Sequence, residues 1–431
     1  MTRQSTLRRW VAWHKLAWVC FAWSAVVWQF PLGAPAQERF EIAAWVDHFD
    51  FYSHFDTEKR EGWEQILDHV AETGATTILW RNCGGATMRY QSQVESHHHD
   101  SRLDKRRVGD CRPIGGWVRY GEAEPDIVAT VVELCRERGL RPGIHWPYEE
   151  THWSGWTLGG WNLEHPQYWG RTADGRPWCG RSSIAYEPVI RHKLDLVDEL
   201  LDRGIEVLFL DFWRIGGWSP AYEYVDPVVE AYRTKYGQEP PKDPRDLTWC
   251  RHVSGYVTAY LRRLRAHLNA SGHQVELAVG IPEIAPDSDA ALISAAADWK
   301  TWIDEGLIDT LVINFVRWDE KAPLESTAAL YADILDVIDG RCGVWCPIQQ
   351  YNYSRYGLPA YEKATGKPNE ELAASLMRIA HEAGAAGVSL ECVDYNNYRP
   401  KTREALRTLG EGPCRLVRAA ADAVPAKSND H

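Results

Sequence analysis

Seven glycines constrain the fold of this chain most, because each one stands between an amphipathic segment and a short apolar run. Glycine readily takes the left-handed backbone conformation that ends many helices. Each junction therefore predicts a helix that is followed closely by a strand. The seven are Gly74, Gly139, Gly204, Gly272, Gly306, Gly340 and Gly384.

Together with the opening run FEIAAWVD, these junctions predict eight strands that alternate with helices. The strands are continuously apolar, and such runs indicate a parallel sheet that is covered on both faces. Eight βα units form a (β/α)8 TIM barrel, which is the α/β fold that we predict. A doubly wound sheet is disfavoured because no G-x-G-x-x-G turn follows the first strand.

The segments that follow the predicted strands are long, whereas the turns that precede the strands have only a few residues. Long segments therefore gather at the carboxyl ends of the strands, where barrel enzymes build their sites. We predict one barrel domain over residues 37–415 and a flexible tail over residues 416–431. The long segments are approximately residues 81–124, 147–186, 214–246 and 348–369.

The first 36 residues have the pattern of a signal peptide. Three arginines within the first nine residues precede a largely apolar run, and Ala-Pro-Ala at positions 34–36 offers a cleavage site before Gln37. We expect a secreted or periplasmic protein. The alternative is an uncleaved N-terminal anchor, because the apolar run over residues 10–30 is long enough to span a membrane.

The composition of the chain limits the kinds of molecule that it can be expected to bind. The net charge is −12 and no basic run is interleaved with aromatic residues, which argues against binding to nucleic acid or to an anionic membrane. The chain has 22 Trp and 19 Tyr against only 9 Phe. Trp and Tyr combine an apolar face with a hydrogen-bonding tip, which suits a carbohydrate substrate.

Motifs for other chemistry are missing from the sequence. The first strand ends in Asp47-His48 where a metal-dependent barrel hydrolase would usually have H-x-H, and neither C-x-x-C, G-x-S-x-G nor a phosphate-binding loop occurs. We therefore expect neither a metal nor a cofactor.

The helix predicted before the fourth strand shows how the barrel is covered. It begins at Glu187 and places Ile190, Leu194, Val197 and Leu201 on one face, which we expect to lie against the barrel. We expect the charged residues of this helix to point toward solvent. They are Arg191, Lys193, Asp198 and Asp202.

Polar and aromatic residues stand where the predicted strands end. Because the carboxyl ends of parallel strands meet at one end of a barrel, these side chains should line a common mouth. In strand order they are Asp47; Arg81 and Asn82; His145 and Trp146; Asp211, Trp213 and Arg214; Glu283; Asn314 and Trp318; Gln349; and Glu391.

Asp211 ends the apolar fourth strand, VLFLD. Alternation along a strand places Asp211 on the same face as Phe209 and opposite to Leu208 and Leu210. If the two leucines pack against helices, Asp211 points into the mouth. The alternative is a structural ion pair between Asp211 and Arg214 or another arginine of the barrel.

Two carboxyl groups at a barrel mouth lined by aromatic residues can catalyse the cleavage of a glycosidic bond. One acid protonates the leaving oxygen, while a second carboxylate attacks the anomeric carbon or activates a water. We predict Asp211 as the nucleophile or base. The candidates for the acid are Glu283, Glu391, Asp319 and Asp47.

The remaining polar and aromatic residues at the strand ends are predicted to bind the sugar. His145 has an alternative as a buried residue of an internal barrel layer. The predicted sugar-binding residues are Asp47, Arg81, Asn82, His145, Trp146, Trp213, Arg214, Asn314, Trp318 and Gln349.

Four tryptophans interrupt the segment after the third strand, at positions 153, 156, 161 and 169. They fit either a stacking platform for a sugar chain or a hydrophobic core of the loop itself.

Two sequence patches carry a resemblance to a known family. The run RPWCGRSSIAYEPVIRHKLDLVDELLDRGIEVLFLDFWR and the patch ILWRNCGG resemble bacterial family-10-like glycoside hydrolases over approximately residues 41–407. The resemblance implies a carbohydrate-active barrel with Asp211 as a catalytic or substrate-binding acid. A strand-four Asp followed by a strand-five Glu is also similar to alpha-amylases and alpha-galactosidases, which ranks Glu283 above Glu391 as the acid.

The prediction is therefore a glycoside hydrolase that acts on a poly- or oligosaccharide. The competing class is a non-catalytic carbohydrate-binding barrel that keeps the aromatic mouth without a working acid pair. Asp211→Asn discriminates the two, because it should abolish hydrolysis and preserve binding.

Overall fold

The computed structural model describes part of the chain. The described residues belong to the second of two units, Met1–Ala36 and Gln37–His431, so the predicted signal peptide and tail lie outside them. None of the described helices is long and apolar enough to cross a membrane. The described ranges are 40–46, 60–71, 74–84, 87–88, 90–95, 126–147, 159–212, 219–282, 284–314, 322–348, 366 and 369–390.

Eight parallel strands form a closed barrel in the order β1-β12-β11-β10-β9-β8-β5-β2, and β3–β4 and β6–β7 are small antiparallel pairs outside it. This topology confirms the predicted (β/α)8 fold. The strands are β1 (Glu41–Val46), β2 (Thr77–Arg81), β3 (Cys83–Gly84), β4 (Thr87–Met88), β5 (Arg141–Pro147), β6 (Trp169–Arg171), β7 (Pro177–Ser182), β8 (Val207–Asp211), β9 (Glu276–Ile281), β10 (Thr310–Ile313), β11 (Gly343–Ile348) and β12 (Gly387–Leu390).

Within the described residues, helices follow each barrel strand from β1 to β11, and short 3-10 turns lie at Pro166–Tyr168 and Pro220–Tyr222. All seven junction glycines have positive φ angles, from 63° to 89°, as their predicted role as helix ends requires. The helices are α1 (Arg60–Ala71), α2 (Ile127–Glu137), α3 (Gly160–Glu164), α4 (Glu187–Asp202), α5 (Asp226–Tyr236), α6 (Leu247–Ser271), α7 (Ala290–Ala295), α8 (Trp299–Asp304), α9 (Pro323–Ile338) and α10 (Asn369–Glu382).

Alternate residues of the strands fill the barrel interior, while the others pack against the helices. Following the strand register around the barrel places Trp45, His145 and Gly280 in one interior layer. Arg81, Asp211 and Asn314 belong to the next layer toward the carboxyl ends. The apolar interior cluster contains Ala43, Trp45, Leu79, Val207, Phe209, Ala278, Val312 and Trp345.

The opposite end of the interior is closed by charged groups. Arg141 donates from Nη1 to Glu41 Oε1 at 3.1 Å and from Nη2 to Glu276 Oε2 at 2.7 Å. The hydroxyl of Thr77 donates to Glu41 at 2.6 Å, and that of Thr310 donates to Glu276 at 2.6 Å. This ion-pair layer links five strands, β1, β2, β5, β9 and β10, at their amino ends.

Helix α4 corrects one prediction. Lys193, expected to face solvent, is 2% exposed, and Ile190 and Leu194 are only half-buried. His192 is also buried. Arg191, Asp198 and Asp202 are exposed, as predicted. The expectation failed for Lys193 because the buried stripe of the helix is rotated from the predicted one; it consists of Val189, His192, Lys193, Leu196, Val197, Leu200 and Leu201. Trp161 covers this stripe at His192, where the two rings stack at 4.3 Å.

Candidate active site at the carboxyl end of the barrel

Asp211 is the last residue of β8, and its side chain is fully buried. Phe209, two residues earlier, belongs to the interior cluster, whereas Leu208 and Leu210 pack in the outer core with the helices. Alternation therefore directs Asp211 to the barrel interior, in agreement with the prediction from the sequence.

Both oxygens of the Asp211 carboxylate meet nitrogen atoms from other strands. His145 Nε2 lies 3.0 Å from Oδ2, and Asn314 Nδ2 donates to Oδ1 at 3.4 Å. His145 is on the adjacent strand β5, and Asn314 directly follows β10. With its hydrogen on Nε2, a neutral His145 donates to the carboxylate. Three residues predicted separately thus form one buried hydrogen-bonded group.

Aromatic rings fix the orientation of His145. The ring of Trp45 lies 5.0 Å from the imidazole, and Phe209 stacks on it at 5.3 Å with an interplanar angle of 23°. Trp45 and Phe209 are themselves 4.7 Å apart. These packed neighbours restrict rotation of the imidazole, so Nε2 stays directed at Asp211.

Arg81 and Asn82 lie beside this group. Arg81 is 1% exposed and donates from Nε to the carbonyl of Cys83 at 3.0 Å. The backbone N–H of Asn82 donates to the carbonyl of His145 at 3.3 Å. The Asn82 side chain is fully buried, and its amide nitrogen and oxygen have no hydrogen-bond partner among the described residues.

A buried polar group such as the Asn82 amide costs about 1–3 kcal/mol when it is left without a hydrogen bond. The indole N–H of Trp45 is also buried and has no acceptor among the described residues. Asn82 and Trp45 are therefore polar groups that a hydroxyl-rich ligand could satisfy.

Trp146 does not lie in the barrel interior with Asp211 and His145. It belongs to the outer core, with Ile144 of the same strand, whereas His145 bonds Asp211 in the interior. Neighbouring residues of a strand point to opposite faces, so its position in the chain next to His145 does not make it a neighbour of the site. The predicted sugar-binding role of Trp146 has no support in this placement.

The other predicted site residues lie outside the described part of the chain. They are Asp47, Trp213, Arg214, Glu283, Trp318, Asp319, Gln349 and Glu391.

Among the residues that are described, no group of three or more His, Cys, Asp or Glu side chains is arranged to hold a metal ion.

The tryptophan-rich segment after β5 is packed into itself where it is described. Trp161 stacks on His165 at 4.4 Å as well as on His192. Trp169 is 5% exposed and donates its indole N–H to the carbonyl of Asn162 at 2.8 Å. These contacts favour the loop core for Trp161 and Trp169, while positions 153 and 156 lie outside the described residues.

Gly280 is a site residue that the sequence analysis missed. A Cβ atom at this position would lie 2.8 Å from the Phe209 ring and 3.0 Å from Asn314 Nδ2. The missing side chain therefore leaves the space in which Asn314 reaches Asp211. A glycine in the middle of a predicted strand was the available signal, since it often marks a close approach of another group.

We expect Gly280→Ala to displace Asn314 from Asp211 and to destabilise the protein by about 1–3 kcal/mol through overpacking. Gly255→Ala is the matched control, because Gly255 lies in α6 with nothing within 4 Å of its Cβ position. That variant should gain about 0.5–1 kcal/mol from its helical alanine. Urea unfolding measures both values, and equal stability of the two variants would contradict the steric role of Gly280.

Comparison with solved structures identifies the same architecture in carbohydrate-active proteins. The glycoside hydrolase domain of PgaB (BpsB) from Bordetella bronchiseptica has a TM-score of 0.54 and 11% identity, covering 86% of this chain and 98% of that domain. The catalytic domain of beta-amylase from Paenibacillus polymyxa has a TM-score of 0.53 and 10% identity, covering 91% of this chain and 100% of that domain.

A beta-galactosidase from the psychrophilic Marinomonas ef1 has a TM-score of 0.50 and 11% identity; the match covers 88% of this chain and 62% of the galactosidase. No family model and no curated protein matches the chain. The resemblance to family-10-like hydrolases therefore stays a prediction. What the solved structures establish is a (β/α)8 barrel of the kind found in these three glycoside hydrolases.

Proposed function

We propose that the protein is a glycoside hydrolase that cleaves a poly- or oligosaccharide at the carboxyl end of its barrel. The observation that carries this proposal is the Asp211 carboxylate, bonded by His145 and Asn314 in the interior layer nearest the mouth. In TIM barrels this end holds the active site. The fold shared with three glycoside hydrolases adds support.

Asp211 is proposed as the nucleophile or general base. His145 and Asn314 each engage one carboxylate oxygen, so the plane of the carboxylate is held in a single orientation. A fixed orientation is what in-line attack on an anomeric carbon, or activation of a water, requires. The Asp211 side chain has no exposed surface, so contact with substrate requires a rearrangement that exposes this carboxylate.

Glu283 is proposed as the general acid, with Glu391 as the alternative. Strand β9 is the neighbour of β8, with Gly280 in register with Asp211, and Glu283 follows two residues after β9 ends. Glu391 follows directly after β12. The acid protonates the leaving oxygen while Asp211 acts at the anomeric carbon or on a water.

The proposal is tested by incubating the protein with a panel of polysaccharides and oligosaccharides and measuring new reducing ends. Cleavage of at least one glycan would support the catalytic proposal. The second candidate, a non-catalytic carbohydrate-binding barrel, rests on the full burial of Asp211. It predicts that glycans from the same panel bind in calorimetry but are not cleaved. Binding without any cleavage would therefore replace the first proposal by the second.

A further inference from the structure

Three segments that follow barrel strands are joined to one another by buried carboxylates. Residues 90–95 come after β2, residues 159–186 come after β5, and residues 219–225 come after β8. Glu95 belongs to the first segment and Glu223 to the third. Both carboxylates contact the middle segment, which contains α3 and the β6–β7 hairpin.

Glu95 holds the beginning of the middle segment. Its side chain is 2% exposed, its Oε1 accepts the backbone N–H of Trp161 at 3.2 Å, and its Oε2 lies 3.3 Å from His192 Nε2. Gly159 lies so close that a Cβ there would be 2.6 Å from the carboxylate. The Trp161 ring stacks on the His192 imidazole, so α4 supports the same contact.

Glu223 holds the end of the middle segment. Its side chain is 3% exposed, its Oε2 accepts the hydroxyl of Ser183 at 2.5 Å, and its Oε1 lies 3.6 Å from Arg181 Nη2. Burial raises the pKa of Glu223 above its ordinary value. Arg181 and the Ser183 hydroxyl act against this rise, since both favour the charged carboxylate.

Backbone and ring contacts accompany this carboxyl. The N–H of Tyr224 donates to the carbonyl of Arg171 at 3.0 Å, and Tyr222 stacks on Trp178 at 4.1 Å. Gly170 lies against the carbonyl of Tyr222, where a Cβ would be only 2.7 Å away. The β6–β7 hairpin therefore meets the segment after β8 over its backbone as well as its side chains.

We propose that Glu95 and Glu223 are positioning residues that hold residues 159–186 between the neighbouring loops as one fixed wall of the substrate cleft. The segments they join lead away from the strands that carry Arg81, His145 and Asp211. Loops at this end of a barrel set substrate binding. The role in substrate binding rests on the proposed function, whereas the role in holding the loops does not.

Amide hydrogen exchange tests the loop contacts without any substrate. Glu223→Ala should speed exchange in residues 169–183 and 219–224 about 10-fold and leave β9 unchanged, since opening would be local. Glu223→Gln should give exchange slower than in Glu223→Ala and faster than in the wild type, because the amide oxygen still accepts from Ser183 while the buried Arg181 loses its counter-charge. Glu95→Ala should instead affect residues 90–95 and 159–164.

Glu239→Ala is the matched control, because Glu239 forms an exposed ion pair with Arg233 in the same part of the chain. If the Glu223→Ala protein does not fold, Ser183→Ala replaces it in the experiment; this variant removes the hydroxyl that donates to Glu223 and accepts the backbone N–H of Ala185, and it keeps the carboxylate beside Arg181. Unchanged exchange near the hairpin, or a uniform increase that includes β9, would overturn the proposal.

Kinetics test the effect on binding with any glycan that the wild type cleaves. Glu223→Ala should raise KM about 10-fold with little change in kcat, as expected when a binding wall is loosened and the reacting groups stay in place. Glu223→Gln should give a KM between those of the wild type and Glu223→Ala, because it keeps the Ser183 contact and loses the charge that faces Arg181. A loss confined to kcat would overturn the binding role. Failure of the wild type to cleave any glycan would count against the proposed function, and the exchange data would still decide whether the carboxylates hold the loops.

Discussion

Asp211→Asn is expected to lower kcat for glycan hydrolysis about 10³-fold, which is within the range for removing an acid–base group. An amide can neither attack an anomeric carbon nor accept a proton from water, yet it has the shape of the carboxylate. The packing of Trp45 and Phe209 around His145 should therefore persist. Initial rates from reducing-end release, together with glycan affinity from calorimetry, measure the two effects separately.

Asp333→Asn provides the control for this experiment. Asp333 is exposed on the helix α9, so Asp333→Asn removes the same charge outside the group formed by Asp211, His145 and Asn314. Its kcat should equal that of the wild type. If Asp211→Asn retained more than about a tenth of wild-type kcat, Asp211 would be neither nucleophile nor base. The carboxylate would then serve to orient His145.

The fold could be predicted from the sequence because its determinants are local. A helix end needs only a residue that accepts positive φ, and each of the seven glycines provides one. The continuous apolar runs reflect strands that are buried on both faces. Neither property depends on which distant segment packs nearby, so the order of strands and helices could be derived without tertiary information.

For the site, the sequence could predict the direction of a single side chain but not its contacts with other strands. Alternation in VLFLD placed Asp211 inside the barrel, and the structure agrees. Its contacts with His145 and Asn314 depend on the register between strands, which the sequence of one strand does not contain. Trp146 shows the same limit, because a position at a strand end does not specify the face.

The rotation of α4 about its own axis could not be predicted from its periodicity. Lys193 belongs to the buried stripe of the helix, and the ring of Trp161 covers His192 on the same stripe. Glu95 and Glu223 lie in irregular segments without a repeating pattern, where acidic residues normally indicate an exposed loop. Their burial results from contacts between three segments that are far apart in the chain.

The ion-pair layer at the amino end of the barrel leads to the second large expected effect. Arg141→Met should lower the free energy of unfolding by about 3 kcal/mol, since removing one partner of a buried pair leaves its counter-charges uncompensated. Glu41 and Glu276 have side chains only 9% and 13% exposed, and both contact Arg141. Arg141 itself is 29% exposed, which keeps the loss toward the lower end of the range for buried pairs.

Urea unfolding of two further variants separates loss of packing from loss of charge compensation. Arg233→Met removes an arginine from the exposed pair with Glu239, so the free energy of unfolding should stay close to that of the wild type. Combining Arg141→Met with Glu41→Gln and Glu276→Gln should recover much of the lost stability, because neutral groups need no counter-charge. The glutamine side chains can still accept the hydroxyls of Thr77 and Thr310. The triple variant could instead be less stable than Arg141→Met alone. The hydrogen bonds from the threonines to the carboxylates would then stabilise the protein by more than the unpaired charges destabilise it. In that case the layer would act as a hydrogen-bond network, and its charges would contribute little to stability.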